Sequence, residues 1–361
     1  MKIGFDGRYA EGDLVGVGNY IKSLLQGLDK RGVDCVIFYS RKPKFKLQGK
    51  NTKTIILPAK NRYIFEQILL PQALKKEKVE IYHALGNVGV PLVCPVPSVL
   101  TVHDIIPLEI EGYFSFSPFP ALSKLSYLFR LKTSLSKAMK IVTVSNYVKG
   151  EIKKKLSVPA NKIQTIYSGR PIPGKGGTLP VNLKNQKYIL NHGGMDIRKN
   201  LGRLIEAFAL VHKNHGDIKL VVTGENIIIR EQLDKKIADL GLENSVVFTG
   251  YVDGKTLTAI IKSATLICYP TLSEGFGFPV LEGFGAGVPV ISSNTSSIPE
   301  ISGGAALLIN PQKVDEIVNA IEKVLRGGKT INEMVLKGRA RYNMFNWKES
   351  VNEYIDLYNS I

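Results

Sequence analysis

The sequence predicts an α/β protein made of two Rossmann-like domains, each a doubly wound parallel sheet. Two observations carry that prediction. Short runs rich in β-branched and aromatic residues alternate with longer amphipathic runs, and each short run ends on glycine or a polar residue. The alternation then restarts after a Pro/Gly-rich stretch, "RPIPGKGGTLPVNLKNQ", at residues 170–186. A chain of 361 residues has room for two domains of ordinary size.

Taken in order, "KIGFDG" reads as the opening strand, followed by the glycine-bearing loop "EGDLVGVG" and an amphipathic helix over "NYIKSLLQGLDKRG". "VDCVIFYS", "EIYHALG", "SVLTVHD" and "KIVTVS" read as the further strands of the first half. The second half runs strand "KYILNHGG", helix "LGRLIEAFALVHKN", strand "IKLVVTG" and helix "IREQLDKKIADLG". Strands "SVVFTG", "TLICYP" and "PVISS" follow, and the chain closes on a helical segment, "NWKESVNEYIDLYNS". Ligands of open parallel sheets sit at the C-terminal ends of the strands, so function is expected in the loops that follow strands, at a cleft between the halves.

Composition narrows the classes. A hydrophobic fraction of 44% is too high for a disordered chain. No segment approaches the ~18 consecutive apolar residues of a membrane-spanning helix. The N-terminus "MKIGFDGRYAEGD" turns polar and acidic at once, unlike a secretory signal. Cys35, Cys94 and Cys268 are odd in number and widely spaced, which predicts reduced thiols in a cytosol rather than a disulfide or zinc framework.

The net charge of +17 is uneven: residues 1–170 hold 27 of the Lys and Arg residues but only 12 of the acids. From Cys35 to Phe65 there are eight basic residues and no acid, and residues 112–155 carry nine Lys or Arg against one Glu. This surplus fits either a solvated basic surface or contact with a polyanion, and charge by itself does not choose. Nucleic acid is the weakest of the polyanions, since the sequence holds no RNA-recognition aromatic signature, zinc finger or clear helix-turn-helix.

The most informative stretch is "CYPTLSEGFGFPVLEGFGAGVPVIS", residues 268–292. A strand ends at Pro270, a loop follows, and Pro279 stands where a helix would begin, its favoured first position. Amides near Gly277 and Phe278 then lie at a helix N-terminus, whose partial positive charge suits a diphosphate. Gly275 and Gly277 let backbone approach a ligand. Glu282 is expected in the first helical turn, within reach of polyhydroxyl groups such as a ribose, and Glu274 in the loop, where a carboxylate accepts vicinal hydroxyls. A capping glutamate in a glycine-rich turn is the plainer alternative.

The run "EGFGFPVLE" resembles the E-x7-E motif of the family-4 retaining glycosyltransferases of the GT-B fold, and the likeness continues through "GFGAGVPVISSNTSSIPEISGGAALLINP". In detail it is similar to the bacterial mannosyltransferase-like members that build surface polysaccharides. The resemblance implies an acceptor-binding domain over 1–170, a linker at 171–186, and a nucleotide-sugar-binding domain over 187–345. It also implies a C-terminal helix, 346–361, packing back toward the first domain. "GGMDIRKNLGRLIEAF" is similar to the segment whose basic residues grip the donor diphosphate, here Arg198 and Lys199; where many members place an arginine, this chain has Gly194. "VVFTGYVD" resembles the stretch that holds the nucleobase through backbone at Tyr251 and Val252, and Phe276 and Phe278 belong to the donor loop.

In the first half, "GDLVGVGNY" is similar to the family's N-terminal glycine loop, which implies that Gly16 and Gly18 lie against the donor. "TVHDIIPL" resembles the family's histidine loop, which implies His103 beside the reacting sugar, although a lone histidine after a strand also serves as a structural hydrogen-bonder. Asp104 would orient the imidazole or contact acceptor. In "YHALGNVGVPL", His83 and Asn87 are further candidates, while His192, His212 and His215 read as structural or surface residues.

The chain has no D-x-D, so no metal and no other cofactor is expected; Arg198, Lys199 and the helix N-terminus would neutralise the diphosphate. The resemblance implies catalysis by His103 and Glu274 and a front-face displacement assisted by the leaving diphosphate. Double displacement would need a carboxylate nucleophile for which the sequence offers no candidate. GDP-mannose is the donor the subgroup implies, with UDP-glucose, UDP-galactose and UDP-N-acetylhexosamine as competitors. The acceptor would be a saccharide or polyprenyl-diphosphate-linked saccharide. A basic first half, and the mixed aromatic, Leu and Lys segment at 113–140, suit peripheral contact with an anionic membrane face or a helix packed on the domain with a wet basic side. An inactive nucleotide-sugar-binding scaffold is a rival reading, and the intact Glu274, Glu282, Lys199 and His103 argue against it. An epimerase or a pyridoxal-phosphate phosphorylase of the same fold is another, and the chain offers no signature for that cofactor.

Overall fold

The structure is a computed structural model that describes residues 1–361 except 13–15, 45–48, 175, 176 and 226, and only the backbone of 227 and 228. The chain divides into two compact units. Unit 1 comprises Met1–Leu108, Phe114–Gly169 and Asn346–Ile361; unit 2 comprises Glu109–Tyr113 and Arg170–Phe345.

Unit 1 opens with β1 (Lys2–Asp6) and α1 (Val17–Lys30), which buries Tyr20, Ile21, Leu24, Leu25 and Leu28 at the spacing of one helix face. Then come β2 (Asp34–Tyr39) and β3 (Thr52–Ile56). A helical passage follows: α2 (Arg62–Ile64), a π-turn over Phe65–Leu69, and α3 (Leu70–Lys76). The unit continues with β4 (Ile81–Ala84), β5 (Ser98–Val102), α4 (Pro120–Lys137), β6 (Lys140–Thr143), α5 (Asn146–Leu156) and β7 (Ile163–Thr165). Among the described residues its sheet has seven strands, all pairs parallel, in the order β3-β2-β1-β4-β5-β6-β7. Central strands such as β5 are buried at every position, because helices cover both faces of a parallel sheet.

Unit 2 runs β8 (Lys187–Asn191), α6 (Leu201–His212), β9 (Ile218–Val222), α7 (Ile227–Asp239), β10 (Val246–Phe248) and α8 (Gly254–Ser263). It continues with β11 (Leu266–Tyr269), α9 (Phe278–Ala286), β12 (Val290–Ser293), α10 (Ile298–Ser302), β13 (Leu307–Ile309), α11 (Val314–Arg326) and α12 (Lys329–Met344). Its parallel sheet of six described strands has the order β10-β9-β8-β11-β12-β13. In both units the strand order reverses beside the first strand, which opens a crevice at the C-terminal edge.

The structure adds β3, β7 and β13 to the strands expected from the sequence. All three lie at sheet edges. In β3 every residue is at least partly exposed, and Lys53 stands in mid-strand as edge strands favour, so the apolar signal is weak there. Residues 171–186, expected as a linker, group with unit 2 and include a 3-10 turn at Val181–Leu183.

The last helix, α13 (Trp347–Asn359), starts where the Asn346 side chain accepts from the Lys348 amide at 2.9 Å, and it belongs to unit 1. It packs on α1, with Val351, Tyr354, Leu357 and Tyr358 buried. A polar chain runs through this core. The Tyr354 hydroxyl pairs with that of Tyr20 and lies 3.3 Å from Thr101 Oγ1. Thr101 Oγ1 is 2.7 Å from His83 Nε2, and His83 Nδ1 is 2.7 Å from the Tyr358 hydroxyl. The helix is therefore welded in by packing and by hydrogen bonds that water cannot replace. Tyr354→Ala is expected to cost about 3–5 kcal/mol in urea unfolding, as a buried aromatic cavity does, and Tyr358→Phe about 1–3 kcal/mol by leaving His83 Nδ1 unpaired.

Candidate active site

Strands β8 and β11 adjoin at the order reversal of unit 2, and the loops after them carry most of the expected donor residues. After β11 the chain turns through Pro270–Gly277 and enters α9. After β8 it passes His192, Gly193 and Gly194 into a 3-10 turn at Ile197–Lys199, where Asp196 caps the turn by accepting from the Arg198 amide at 3.0 Å. That cap aims Arg198 and Lys199 at the β11 loop.

The two loops meet at Glu274. Its Oε1 accepts from Lys199 Nζ at 2.7 Å and from Thr271 Oγ1 at 3.2 Å, and also from Arg198 Nη1 and the Tyr269 hydroxyl. The loop is pinned behind it. The Glu274 amide donates to Ser296 Oγ at 3.1 Å, and Ser297 Oγ donates to the carbonyls of Glu274 and Phe276 at 2.8 and 2.9 Å. Glu274 is 7% exposed and Lys199 3%.

Three formal charges thus share one buried place, and two are positive. Burial pushes the Glu274 carboxyl up, but Arg198 and Lys199 outweigh it and hold it down at about 2. Burial lowers Lys199 to about 8 even though Glu274 pulls the other way. Both partners of one ion pair shift downward because two cations face the Glu274 carboxylate, whereas burial, helped by the neighbouring Arg198 charge, disfavours a charged Lys199. Arg198 Nε also lies 3.6 Å from the more exposed carboxylate of Asp196, and Lys199 is the more deeply buried cation of the cluster. Burial, followed by the Glu274 charge, raises the Tyr269 hydroxyl well above the phenol range. Burial disfavours the charge on Lys199, so an anion placed beside Lys199 and Arg198 is favourable there, and a diphosphate is such an anion.

Gly193 runs against this cluster with φ +105°; a Cβ there would stand 3.2 Å from Pro279 Cγ and 3.5 Å from Lys199 Nζ. Gly194 has open space at its Cβ position. At the other loop Gly277 caps α9 with φ +109°, where a Cβ would come within 2.8 Å of Ile298 Cδ1, so this start of the helix requires glycine. Phe278 takes the first helical position and Pro279 the second. Glu282, expected in the first turn, is the fifth residue of α9 and lies one turn in; the helix starts at Phe278 because Gly277 alone has left-handed backbone there. Its Oε2 accepts from His192 Nε2 at 2.8 Å. The Phe276 ring is buried between Phe278 and Phe345, with centroids 5.1 and 5.5 Å away, and secures the loop rather than facing outward.

Tyr251 follows β10, where Gly224 and Gly250 form an antiparallel bridge. Its amide donates to Glu225 Oε1 at 3.2 Å, so within the backbone around Tyr251 and Val252 this donor is already engaged. The Val252 amide has no partner among the described residues.

In unit 1, His103 follows β5 and is 8% exposed. Its Nε2 lies 2.8 Å from the Leu85 carbonyl, which only accepts, so Nε2 carries the proton. Burial lowers the imidazole to about 4, with the Leu85 carbonyl pulling the other way, so the ring is neutral near pH 7 and Nδ1 keeps its lone pair. Such a ring accepts a hydroxyl proton. Tyr20 packs edge-on at 4.7 Å and Asn87 Oδ1 accepts the His103 amide at 2.7 Å, so Asn87 acts by holding the loop. Asp104 Oδ1 accepts the Ile106 amide at 3.2 Å and lies 3.5 Å from Asn87 Nδ2; it secures the same loop. His83 is corrected. It is fully buried in β4 with both ring nitrogens engaged, which leaves it no atom for a ligand. Gly16 caps α1 and Gly18 is buried inside its first turn, while residues 13–15 of that loop lie outside the described residues.

Tyr269 and His192 are the site residues that sequence reasoning missed. Tyr269 ends the strand leading into the loop, five positions before Glu274, a place where a buried hydroxyl must find a charged partner. His192 looked structural because nothing local in the sequence relates it to Glu282, ninety positions away. Among the described residues no three His, Cys, Asp or Glu side chains are grouped to hold a metal.

A diphosphate placed against Lys199 favours its charged form, so binding at pH 8–9 takes up a proton. Affinity for a nucleoside diphosphate should fall as pH rises through about 8, by up to about tenfold per pH unit. Calorimetry in two buffers of different ionisation enthalpy at pH 8.5 measures the uptake directly.

The chain is similar to known proteins along both units. Residues 180–341 match the family described as glycosyl transferases group 1, and residues 15–172 match glycosyltransferase family 4. The O-antigen chain mannosyltransferase B of Escherichia coli is 30% identical over 271 residues, covering 72% of this chain and 70% of that one. The O-antigen chain mannosyltransferase RfbU of Salmonella typhimurium is 27% identical over 259 residues, covering 71% and 68%. Among solved structures, sucrose-phosphate synthase from Thermosynechococcus elongatus superposes with a TM-score of 0.81 at 18% identity, covering 100% of this chain and 98% of that one. Anabaena HepE, in complex with UDP and glucose, gives 0.79 at 16% identity and covers 100% of both chains. With two Rossmann-like units, a Glu274–Glu282 motif on the second, and family likeness along both, the chain belongs to glycosyltransferase family 4 and is a glycosyltransferase of the GT-B fold.

Proposed function

We propose that this glycosyltransferase moves a hexose, mannose first, from a nucleoside diphosphate sugar to a saccharide or lipid-linked saccharide acceptor in surface polysaccharide assembly. One observation carries the donor site. A buried carboxylate, Glu274, shares two cations at the C-terminal edge of a parallel sheet, beside the N-terminus of α9. The two cations and the helix end suit a diphosphate, and the loop carboxylate suits sugar hydroxyls. The mannosyl preference rests on the likeness to the two O-antigen mannosyltransferases.

Transfer with retention by a front-face displacement is the mechanism these residues suit. Glu274 is held ionised by two cations and Glu282 is engaged by His192, so neither is a free nucleophile for a double displacement. Arg198, Lys199 and the α9 N-terminus suit stabilisation of the departing diphosphate, and in unit 1 the neutral His103 offers its Nδ1 lone pair to a sugar hydroxyl. Their charge meets the diphosphate without a divalent metal.

The acceptor reading draws on unit 1. Ahead of and along α4, Phe119, Leu122, Leu125 and Phe129 are 60–69% exposed at spacings of three and four, which is one helix face. Lys124 and Lys132 share the helix, and the opposite face buries Leu131 and Leu135. An apolar stripe beside lysines suits peripheral contact with an anionic bilayer on the cytoplasmic side, where a polyprenyl-linked acceptor would be presented. No described helix is long and apolar enough to cross a membrane.

Glu274→Ala should lower turnover at least ~100-fold, and an active variant overturns the assignment. Thermal shifts with GDP and UDP read the donor, since a nucleotide at 100 times its dissociation constant adds ~2.7 kcal/mol. A GDP-selective shift supports mannosyl transfer, and a UDP-selective one replaces the donor while keeping the site. Excess EDTA is expected to leave turnover unchanged; loss restored by a divalent cation overturns the metal-free reading. The protein should sediment with anionic but not neutral liposomes, and Leu122→Ser combined with Leu125→Ser should release it.

A further inference from the structure

We infer that His192 is a positioning residue that aims Glu282 at the ribose diol of the donor nucleotide, an assignment that rests on reading unit 2 as the nucleoside diphosphate site. His192 is the first residue beyond β8 and is 1% exposed, while Glu282 projects from the second turn of α9 with its side chain 26% exposed. A glutamate on a helix surface samples many rotamers, and ordering it on binding costs entropy. The contact between Nε2 and Oε2, at 2.8 Å, removes that freedom before the ligand arrives. The carboxylate only accepts, so Nε2 donates. Oε1 has no partner among the described residues, and Oε2 retains a second lone pair, so the held carboxylate still accepts from two vicinal hydroxyls.

The other ring atom argues the same way. Nδ1 is buried with no hydrogen-bond partner, a cost that a leucine or phenylalanine of similar size would avoid. The polar contact the ring makes, and therefore what offsets that cost, is the bond to Glu282. A Cβ added at the next residue, Gly193, would stand 3.2 Å from Pro279 Cγ and 3.5 Å from Lys199 Nζ, so the chain just beyond His192 runs close beside both the start of α9 and Lys199.

The test measures dissociation constants by calorimetry for GDP, UDP and their 2′,3′-dideoxy counterparts, using the full chain and the variants His192→Phe, His192→Gln and Glu282→Ala. The full chain should prefer the ribo form about tenfold or more. His192→Phe should cut that preference about fivefold and leave the dideoxy affinity within about twofold, and His192→Gln, which keeps a donor, should restore most of it. A preference that survives His192→Phe but is lost in Glu282→Ala overturns the inference and leaves the donor-site reading standing. Equal weakening of ribo and dideoxy forms in His192→Phe shows a purely structural histidine and also overturns it. A preference intact in Glu282→Ala, or no binding of either nucleotide, defeats the donor-site reading itself.

Discussion

One buried carboxylate organises unit 2. Glu274 carries more hydrogen bonds on a single oxygen than any isolated loop residue would keep, and the four donors come from three parts of the chain: Arg198 and Lys199 from the turn after β8, Tyr269 from the end of β11, and Thr271 from the loop itself. Desolvating these groups is costly, and the cost is met only while all of them are present, since a buried cation stripped of its anion is worse than no pair. The loop cannot drift without exposing Lys199 to an apolar surrounding. The same constraint keeps Lys199 buried where its charge is disfavoured, so the arrangement that locks the loop also prepares it for an anion. Stability and ligand preference come here from the same buried cations.

Unit 1 solves a different problem with neutral groups. The chain of hydroxyls and imidazole from Tyr20 through Tyr354, Thr101 and His83 to Tyr358 lets a C-terminal helix join a core built from the first half of the sequence. Tyr20 also meets His103 edge-on, so the helix that ends the chain supports the ring that follows β5 through one intermediary. Burial keeps both histidines in the neutral range, but to different ends. His83 has no free atom, whereas His103 keeps an acceptor nitrogen because a backbone carbonyl has claimed only its Nε2.

Much of this was legible in advance. The central strands announced themselves as apolar runs because both faces of a parallel sheet are covered, and the edge strands β3, β7 and β13 did not, because only part of each is buried or the strand is three residues long. Glu274 and Glu282 could be singled out because they stand in a glycine-rich run between a strand and a helix beginning near proline, and Arg198 and Lys199 because their segment resembles the family's diphosphate-gripping one. Tyr251 shows the limit of that reading, since its amide was claimed by Glu225, whose position relative to it depends on a bridge between Gly224 and Gly250.

The sequence by itself determined the two-fold repetition of strand and helix and drew attention to the glutamate run, because these are written in local composition and spacing, and the likeness of that run to a known motif pointed to the family. Tertiary structure alone decided which charge answers which. It joined Lys199 to Glu274 across seventy-five positions, gave Glu282 its partner in His192, and took His83 out of the site and into the core. Side-chain pairing depends on where strand ends converge in space, and that convergence follows from the order of strands in a sheet, which local periodicity does not encode.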